Sequence, residues 1–183
     1  MRIIAGTKRG IRLTSFKNNS VRPTTDRTKE VIFNVLRNHI EGSLVLDIFS
    51  GTGSLGIEAL SRGAAKAVFI DNDRNAQKIL QDNLGKSDFC EFSELINLPA
   101  KHGLKKLSNA NQKFDLIFAD PPYKGDLAKE TIQLIEYYDL LGSDGWLTIE
   151  HSDKTNLVKV SEKYTLQSLR RQGDTQLSFY QNV

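Results

Sequence analysis

The tetrapeptide Asp120-Pro121-Pro122-Tyr123, which follows the apolar run Phe114–Ala119, carries residues suited to chemistry on an amine. Its two prolines cannot continue a helix or a strand ladder, so the peptide is held rigid. The Asp120 carboxylate and the Pro121 carbonyl can accept both N–H groups of an exocyclic nucleobase amine. They would stabilise the positive charge that develops as the nitrogen attacks a methyl group. Tyr123 can stack on an extruded base, so all four residues are predicted to be catalytic.

A glycine-rich segment, Gly51-x-Gly53-x-x-Gly56, lies where the first predicted strand turns into a helix. Glycines allow a tight turn and a close approach of the backbone to a ligand. The spacing matches the dinucleotide fingerprint, and Asp71 follows the next strand, where it could bind the ribose hydroxyls of an adenosine cofactor. These features alone fit both NAD and S-adenosylmethionine.

The acidic residue Asp47, four positions before Gly51, favours S-adenosylmethionine. At the carboxyl end of its strand it lies close to the cofactor crevice. There it would repel a pyrophosphate but attract the ammonium of a methionine moiety, directly or through water. The predicted cofactor-binding residues are Asp47, Phe49, Ser50, Gly51, Thr52, Gly53, Asp71, Asn72 and Asp120.

Strands and helices must alternate to position these motifs. Apolar runs predict strands at Leu44–Phe49, Ala67–Ile70, Phe114–Ala119 and Trp146–Ile149, with a weaker one near Phe89–Phe92. Helical patterns between them cover Ser54–Arg62, Asp73–Leu84, Glu94–Leu107 and Asp126–Tyr138. Apolar strands that alternate with helices indicate a parallel sheet covered on both faces.

The two ends of the chain follow other patterns. Short extended segments at Arg2–Ala5 and Gly10–Leu13 precede a polar turn at 18–20 and a helix that opens after Pro23. Near the other end, β-rich segments at Tyr164–Leu169 and Gln176–Tyr180 leave no room for a helix between them. They predict an antiparallel hairpin at the edge of the sheet.

Charge is unevenly distributed along the 183 residues. Residues 1–40 hold nine lysines or arginines against two acids, a net charge of +7, whereas the whole chain carries +3. A basic arm on a mildly acidic body suggests attraction to phosphates. The residues predicted to bind a nucleic-acid substrate are Arg9, Arg12, Arg22, Thr24, Arg27 and Tyr123.

Composition excludes several classes of protein. No apolar run approaches the roughly 20 residues needed to cross a bilayer, and the N-terminus turns polar too early for a signal peptide, so we expect a cytoplasmic protein. The single cysteine, Cys90, excludes an internal disulfide and a thiolate-rich zinc site, and we expect it to be buried. His39, His102 and His151 lack metal-ligand spacing, and no metal site is predicted.

Longer stretches of the sequence resemble one family. They are Met1-Arg2-Ile3-Ile4-Ala5-Gly6, Arg9-Gly10, Arg22-Pro23-Thr24-Thr25-Asp26-Arg27, Phe33-Asn34-Val35-Leu36, the segment from Leu46 to Ala64, and Asp120-Pro121-Pro122-Tyr123. Together they are similar to the motifs of the RsmD family of bacterial 16S rRNA (guanine-N2) methyltransferases, with Ser50 where the family usually has alanine. The segment between Asp88 and Gln112 is the least similar, and Ser93, Glu94 or Leu95 is expected to bind the adenine.

The resemblance implies a fold and an activity. The fold would be a class I (Rossmann-like) α/β/α sandwich, a mostly parallel seven-stranded sheet with a C-terminal antiparallel hairpin and a short basic N-terminal extension. One domain would span residues 1–183, with the extension at 1–40 and the catalytic core at 41–183. The activity would be methyl transfer from S-adenosylmethionine, leaving S-adenosylhomocysteine, to N2 of one guanine in 16S rRNA of the small ribosomal subunit.

Three other functions stay open on the sequence alone. N6-adenine methylation of DNA or RNA suits the same tetrapeptide, since adenine also carries an exocyclic amine. An NAD-dependent oxidoreductase suits the glycine spacing, and a non-catalytic RNA-binding assembly factor suits the basic arm. No metal is needed for methyl transfer because a sulfonium is already an activated leaving group. A monomer is expected, because the sequence contains no long heptad pattern.

Overall fold

A seven-stranded sheet with helices on both faces forms the body of the protein. The computed structural model describes residues 1–16, 25–123 and 126–183. The strands are β1 Leu44–Ile48, β2 Lys66–Ile70, β3 Ser93–Ile96, β4 Phe114–Ala119, β5 Leu141–Ser152, β6 Tyr164–Gln172 and β7 Thr175–Asn182. The helices are α1 Asp26–Val35, α2 Ser54–Ser61, α3 Arg74–Lys86, α4 Ala100–Asn109 and α5 Leu127–Tyr137.

The sheet is parallel except at its C-terminal end. Its strands lie in the order β3-β2-β1-β4-β5-β7-β6, and the first five pair in parallel. Strand β7 pairs antiparallel with both β5 and β6. The predicted parallel sheet with a C-terminal antiparallel hairpin is confirmed. Strand β6 of the hairpin lies at one edge of the sheet, and β3 lies at the other.

The two faces of the sheet are covered by different helices. One apolar cluster joins the first three helices and the N-terminal segment to the sheet; in it Phe33 of α1 packs edge-on against Phe118 of β4, with ring centroids 5.7 Å apart. The second cluster places Leu104 of α4 and Ile132 of α5 on the opposite face. The result is the three-layer arrangement expected from the alternating pattern.

The segment around Phe89–Phe92 differs from the prediction. Residues Cys90–Phe92 form a short 3-10 turn, and the strand comes next, at Ser93–Ile96, where Ile96 pairs with Ile70 of β2. Helix α4 therefore begins at Ala100, later than the predicted Glu94–Leu107. An edge strand of four residues has too short an apolar run to be located from its pattern. Cys90 is exposed, so its predicted burial is also wrong.

The N-terminal segment is attached to the core by a buried carboxylate. Residues 1–13 fold back on themselves, with the Ile3 amide donating to the Ile11 carbonyl at 3.0 Å. Glu58 of α2, fully buried, accepts hydrogen bonds from the backbone amides of Ile4 at 2.9 Å and Ala5 at 3.0 Å. Its carboxylate also forms ion pairs with Lys29 of α1 and with Arg62. One side chain thus connects the arm, α1 and α2.

Helix α1 begins where the sequence predicts. The Thr25 hydroxyl accepts a hydrogen bond from the Thr28 amide at 3.1 Å and caps the helix. The predicted turn at residues 18–20, with Pro23, lies outside the described residues. Within the described ranges, no helix is long and apolar enough to cross a membrane.

Candidate active site at the carboxyl ends of the strands

A cavity of about 520 Å³ opens where β1, β2 and β4 end. Parallel strands that end together leave a crevice in which ligands of such sheets bind. The cavity is lined by Phe16, Phe49, Gly51, Asp71, Asn72, Asp73, Ala76, Asp120, Pro121, Pro122 and Tyr123. The tetrapeptide after β4 and the loops after β1 and β2 therefore line the same cavity, as their positions in the sequence predict.

The structure brings most of the predicted site residues to this cavity. Eight of them line it: Phe49, Gly51, Asp71, Asn72, Asp120, Pro121, Pro122 and Tyr123. Ser50, Thr52 and Gly53 of the glycine loop and Asp47 of β1 do not line the cavity. Sequence reasoning missed Phe16, Asp73 and Ala76. Asp73 follows Asp71 and Asn72 closely enough to be found from the sequence, whereas no pattern singles out Phe16.

The glycine loop turns through left-handed backbone conformations. Phe49 has φ 59°, Gly51 φ 53° and Gly53 φ 83°. A Cβ atom at Gly51 would meet nothing within 4 Å, so this residue faces open space in the cavity wall. A Cβ at Gly53 would lie 2.3 Å from Leu80 Cδ1, and one at Gly56 would lie 2.3 Å from Phe69 Cε1. Only the first glycine of the motif therefore borders the cavity, and the other two permit close packing.

Asp71, at the end of β2, braces this loop. Its carboxylate accepts hydrogen bonds from the Gly51 amide at 2.7 Å and from the Asp73 amide at 2.8 Å. Ionised carboxylate oxygens together accept about four hydrogen bonds, so capacity remains on the side that faces the cavity. The predicted contact with a ribose stays a prediction, and the geometry adds a second role, that of fixing the glycine loop.

Asp47 lies beneath the loop and is 3% exposed. Its carboxylate accepts a hydrogen bond from the Gly56 amide at 2.9 Å, in the first turn of α2. Burial raises the pKa of Asp47 well above its ordinary value, the Gly56 bond opposes this, and the nearby carboxylates Asp120 and Asp71 raise the pKa further. Three carboxylates at neighbouring strand ends make this part of the crevice attractive to a cation.

The tetrapeptide continues directly from β4. The Asp120 amide donates to the Ile48 carbonyl of β1 at 3.4 Å, which extends the ladder between the two strands by one residue. Pro121 is buried, whereas Tyr123 is 51% exposed. The Tyr123 phenol donates a hydrogen bond to Glu150 Oε1 of β5 at 2.7 Å. Glu150, which lies within β5, thus borders the site through Tyr123.

The basic arm is partly neutralised by ion pairs. Lys29 pairs with buried Glu58 at 3.3 Å, Arg2 with Asp26 at 2.9 Å and Lys8 with Asp88 at 2.7 Å. In contrast, four exposed arginines have no ion pair with any residue that the structure describes: Arg9, Arg12, Arg27 and Arg37. These four carry the arm's net positive charge within the described residues.

The predicted substrate-binding arginines that the structure describes lie on different elements. The turn that carries Arg9 is attached to Ser61, the last residue of α2, by the Thr7 amide at 2.7 Å. Seven helical residues lie between Gly53 and Ser61, so the two are roughly 12 Å apart along the helix. Arg27 lies in the first turn of α1, beside Asp26, the partner of Arg2. Arg22 and Thr24 lie outside the described residues.

The histidines and acidic residues give no indication of a metal centre. His39 stacks on Trp146 with ring centroids 5.3 Å apart, and His151 is buried with its ring bonded to the Ser178 hydroxyl at 2.7 Å. Within residues 1–16, 25–123 and 126–183, no three His, Cys, Asp or Glu side chains are grouped so that they could hold a metal ion.

Comparison with known proteins identifies the family. A model described as "Conserved hypothetical protein 95" matches residues 1–181. Ribosomal RNA small subunit methyltransferase D of Haemophilus influenzae is 37% identical over 100% of this chain and 94% of its own length. The chain belongs to the RsmD family.

Solved structures agree with this membership in the RsmD family. The structure of yhhF from Escherichia coli, described as a candidate methyltransferase, is 32% identical and covers 100% of this chain and 97% of its own, with a TM-score of 0.85. SMU.776, another candidate methyltransferase, was crystallised in complex with SAH. It is 14% identical, covers 90% of this chain and 52% of its own, has a TM-score of 0.70, and shows a shared fold. The chain has the class I methyltransferase fold, as predicted.

Proposed function

We propose that the protein transfers a methyl group from S-adenosylmethionine to the exocyclic N2 of one guanine in 16S rRNA, within the small ribosomal subunit. The observation that carries this proposal is the junction of β1 and β4. There the glycine loop and the tetrapeptide, held side by side by the Asp120–Ile48 backbone bond, line one cavity. Membership in a family whose relatives are named rRNA small subunit methyltransferases supports the same conclusion.

The residues of the cavity fit S-adenosylmethionine. Gly51 presents backbone without a side chain, so a ligand can approach it closely. Asp71 keeps acceptor capacity for ribose hydroxyls. The carboxylates of Asp71 and Asp120, which line the cavity, favour a ligand with a sulfonium and an ammonium group, and they disfavour the pyrophosphate of NAD. We therefore propose that the residues predicted from the sequence hold this cofactor.

The tetrapeptide supplies what methylation of an amine requires. When bound, S-adenosylmethionine supplies an electrophilic methyl carbon on a sulfonium that leaves as a neutral thioether. The Asp120 carboxylate and the Pro121 carbonyl accept the two N–H groups of guanine N2 and direct its lone pair at that carbon. The nitrogen would become positive as it is methylated, and these two acceptors would stabilise that charge. Asp120 then accepts or relays the proton that the nitrogen loses.

Rigidity completes this arrangement. Two consecutive prolines limit the backbone of the tetrapeptide, and Pro121 is buried, so the acceptors need little reorganisation during the reaction. Tyr123, a half-exposed residue of the cavity lining, would stack on a base extruded from the RNA. The exposed arginines of the arm would hold the RNA by its phosphates. We further propose a single-domain monomer that acts in the cytoplasm.

A labelling experiment tests the proposal. The protein is incubated with tritiated S-adenosylmethionine and small subunits from a strain that lacks the native gene, and the labelled nucleoside is identified by digestion and mass analysis. We expect N2-methylguanosine at one position. Label in N6-methyladenosine would favour the adenine alternative. No transfer to any ribosomal substrate would favour the non-catalytic assembly factor, and NAD binding that is insensitive to Asp120→Ala would favour the oxidoreductase.

A further inference from the structure

Glu150 is a carboxylate at the site that methyl transfer itself does not use. Strands β4 and β5 pair in parallel with Ala119 opposite Ile149, so Asp120 and Glu150 follow at the same level of adjacent strands. Neighbouring strands lie about 4.8 Å apart. Glu150 is half-buried, and Tyr123 of the tetrapeptide donates to its Oε1 at 2.7 Å. A second acidic group therefore stands beside the one that binds the amine.

The backbone of Glu150 is held in place from both sides. Within the sheet it pairs with Leu177 of β7, a fully buried residue. The next residue, His151, is buried and fixed by bonds from its ring to the Ser178 hydroxyl at 2.7 Å and the Ser152 carbonyl at 2.9 Å. A group built on rigid strands can discriminate between ligands that differ by one hydrogen-bond donor.

The two bases with exocyclic amines differ at the neighbouring ring atom. In guanine the amine N2 stands next to N1–H, a donor, whereas in adenine N6 stands next to N1 with a lone pair, an acceptor. An ionised carboxylate only accepts hydrogen bonds. A carboxylate therefore binds guanine N1–H and repels adenine N1. A bound adenine would also leave the carboxylate without this hydrogen-bond partner, which costs free energy.

We propose, on the basis of the function proposed above, that Glu150 selects guanine by accepting its N1–H while Asp120 and the Pro121 carbonyl accept the N2 hydrogens. The two carboxylates would then receive adjacent donors of one Watson–Crick edge. The Tyr123 hydroxyl occupies only part of the acceptor capacity of Glu150, so both bonds can coexist. That phenol bond fixes the orientation of the carboxylate before the base arrives.

Replacement of the target guanine by 2-aminopurine removes O6 and the N1 hydrogen together, and comparison of the wild type with Glu150→Gln separates the N1 contact from the loss of O6. This base keeps the 2-amino group but has an unprotonated N1. For the wild type we expect kcat/KM to be about 100-fold lower on the 2-aminopurine RNA. In Glu150→Gln the amide can donate to N1, so we expect the preference for guanine to shrink to less than about 10-fold, mainly through slower reaction of guanine.

Controls separate base selection from a general defect. Glu130→Gln, on the exposed side of α5, makes the same chemical change away from the site and should keep the wild-type preference. Glu150→Asp keeps the carboxylate, so this variant should also keep the wild-type preference for guanine, even with slower turnover. The fluorescence of 2-aminopurine reports extrusion of the base independently of turnover, and we expect Glu150→Gln to extrude it as the wild type does.

The outcomes distinguish this proposal from the function on which it rests. If the wild type forms no N2-methylguanosine on ribosomal RNA, both proposals fail. If it does, but Glu150→Gln lowers turnover of both RNAs by the same factor, Glu150 only supports the site and the selection proposal alone fails.

Discussion

Asp47 lies near the end of β1 and Asp120 directly follows β4, but the two carboxylates have different surroundings. Asp120 lines the cavity with the tetrapeptide, whereas Asp47 is buried beneath the glycine loop and bonds to α2. We propose that Asp120 acts on a substrate amine and that Asp47 shapes the loop and its electrostatic field. The two residues therefore call for different experiments.

For Asp120 we predict a loss of turnover without a loss of cofactor binding. Asp120→Ala removes one preorganised acceptor, so turnover should fall by about 10²-fold or more. S-adenosylmethionine affinity should be nearly unchanged, because the glycine loop and Asp71 remain. Calorimetry and single-turnover kinetics measure the two quantities, with Asp82→Ala on the exposed face of α3 as a control. Wild-type turnover in Asp120→Ala would refute this role.

For Asp47 we predict a pH-dependent effect on stability. Burial is the main reason that the pKa of Asp47 in the folded protein is raised well above 3.8. As the pH rises above about 4, the unfolded chain therefore releases this proton first, and the folded protein progressively loses stability. Asp47→Asn keeps an acceptor for the Gly56 amide but has no proton to lose. The unfolding free energy of the variant minus that of the wild type should increase with pH. Urea titrations at pH 4.5, 6 and 7.5 measure it; a flat or falling difference would contradict the assigned burial effect.

At this scale the sequence locates residues better than it assigns their roles. The tetrapeptide, Gly51 and Asp71 could be placed at one site because each follows a strand of a parallel sheet. The packing roles of Gly53 and Gly56 could not, because they depend on the approach of Leu80 and Phe69 from other elements. The bond between Tyr123 and Glu150 likewise depends on the pairing of β4 with β5.

At the scale of elements, the buried pair of Lys29 and Glu58 joins α1 to α2. Both side chains are 0% exposed, and burial lowers the pKa of Lys29 while Glu58 opposes that shift. Glu58 also accepts the amides of Ile4 and Ala5. Helix α2 starts at the glycine loop, so the same carboxylate that fixes the arm also fixes the helix behind the cofactor cavity.

Glu58→Gln should therefore destabilise the protein strongly. It leaves Lys29 buried without its counter-charge, which costs about 3–5 kcal/mol of unfolding free energy. The control is Arg2→Gln, which breaks the exposed pair with Asp26 and should cost about 1 kcal/mol or less. Urea denaturation measures both. Equal, small effects would mean that the buried pair does not hold the elements together.

Strands and helices of ordinary length follow from their apolar patterns. Helix α1 begins at its threonine cap, and β4 matches its predicted bounds, Phe114–Ala119. The structure of the region from Phe89 to Ala100 could not be predicted from its apolar pattern, because β3 is a four-residue edge strand whose position is set by pairing with β2. Only Ile96 of that strand is buried, so its sequence carries little strand signal.

For the whole molecule, ion pairs in the folded protein neutralise part of the positive charge of the basic arm. Ion pairs absorb Arg2, Lys8 and Lys29, the last of them in the interior. The sequence cannot show this, because the partners Glu58 and Asp88 are distant along the chain. What remains in the described part of the arm is a set of exposed arginines, Arg9, Arg12, Arg27 and Arg37.

Neutralising three of these arginines should weaken RNA binding and flatten its dependence on salt. Each phosphate contact contributes roughly 0.7–0.9 to the slope of log K against log salt, so Arg9→Gln, Arg12→Gln and Arg27→Gln together should lower it by about 2. The control changes three exposed lysines on α3, α4 and α5, namely Lys78, Lys105 and Lys129, to glutamine. Anisotropy measured across a salt series compares the two triple variants. If they behave alike, the arm has no special part in binding RNA.

The proposed function requires that a cofactor and an amine-binding turn meet at the ends of β1 and β4. A crystal structure of the protein with S-adenosylhomocysteine measures this directly. We predict the ligand in the cavity beside Gly51 and Asp71, with its sulfur facing the tetrapeptide and space for a methyl group and an attacking nitrogen about 3–3.5 Å apart in line. A ligand bound elsewhere, or a sulfur turned away from Asp120 and Pro121, would contradict it.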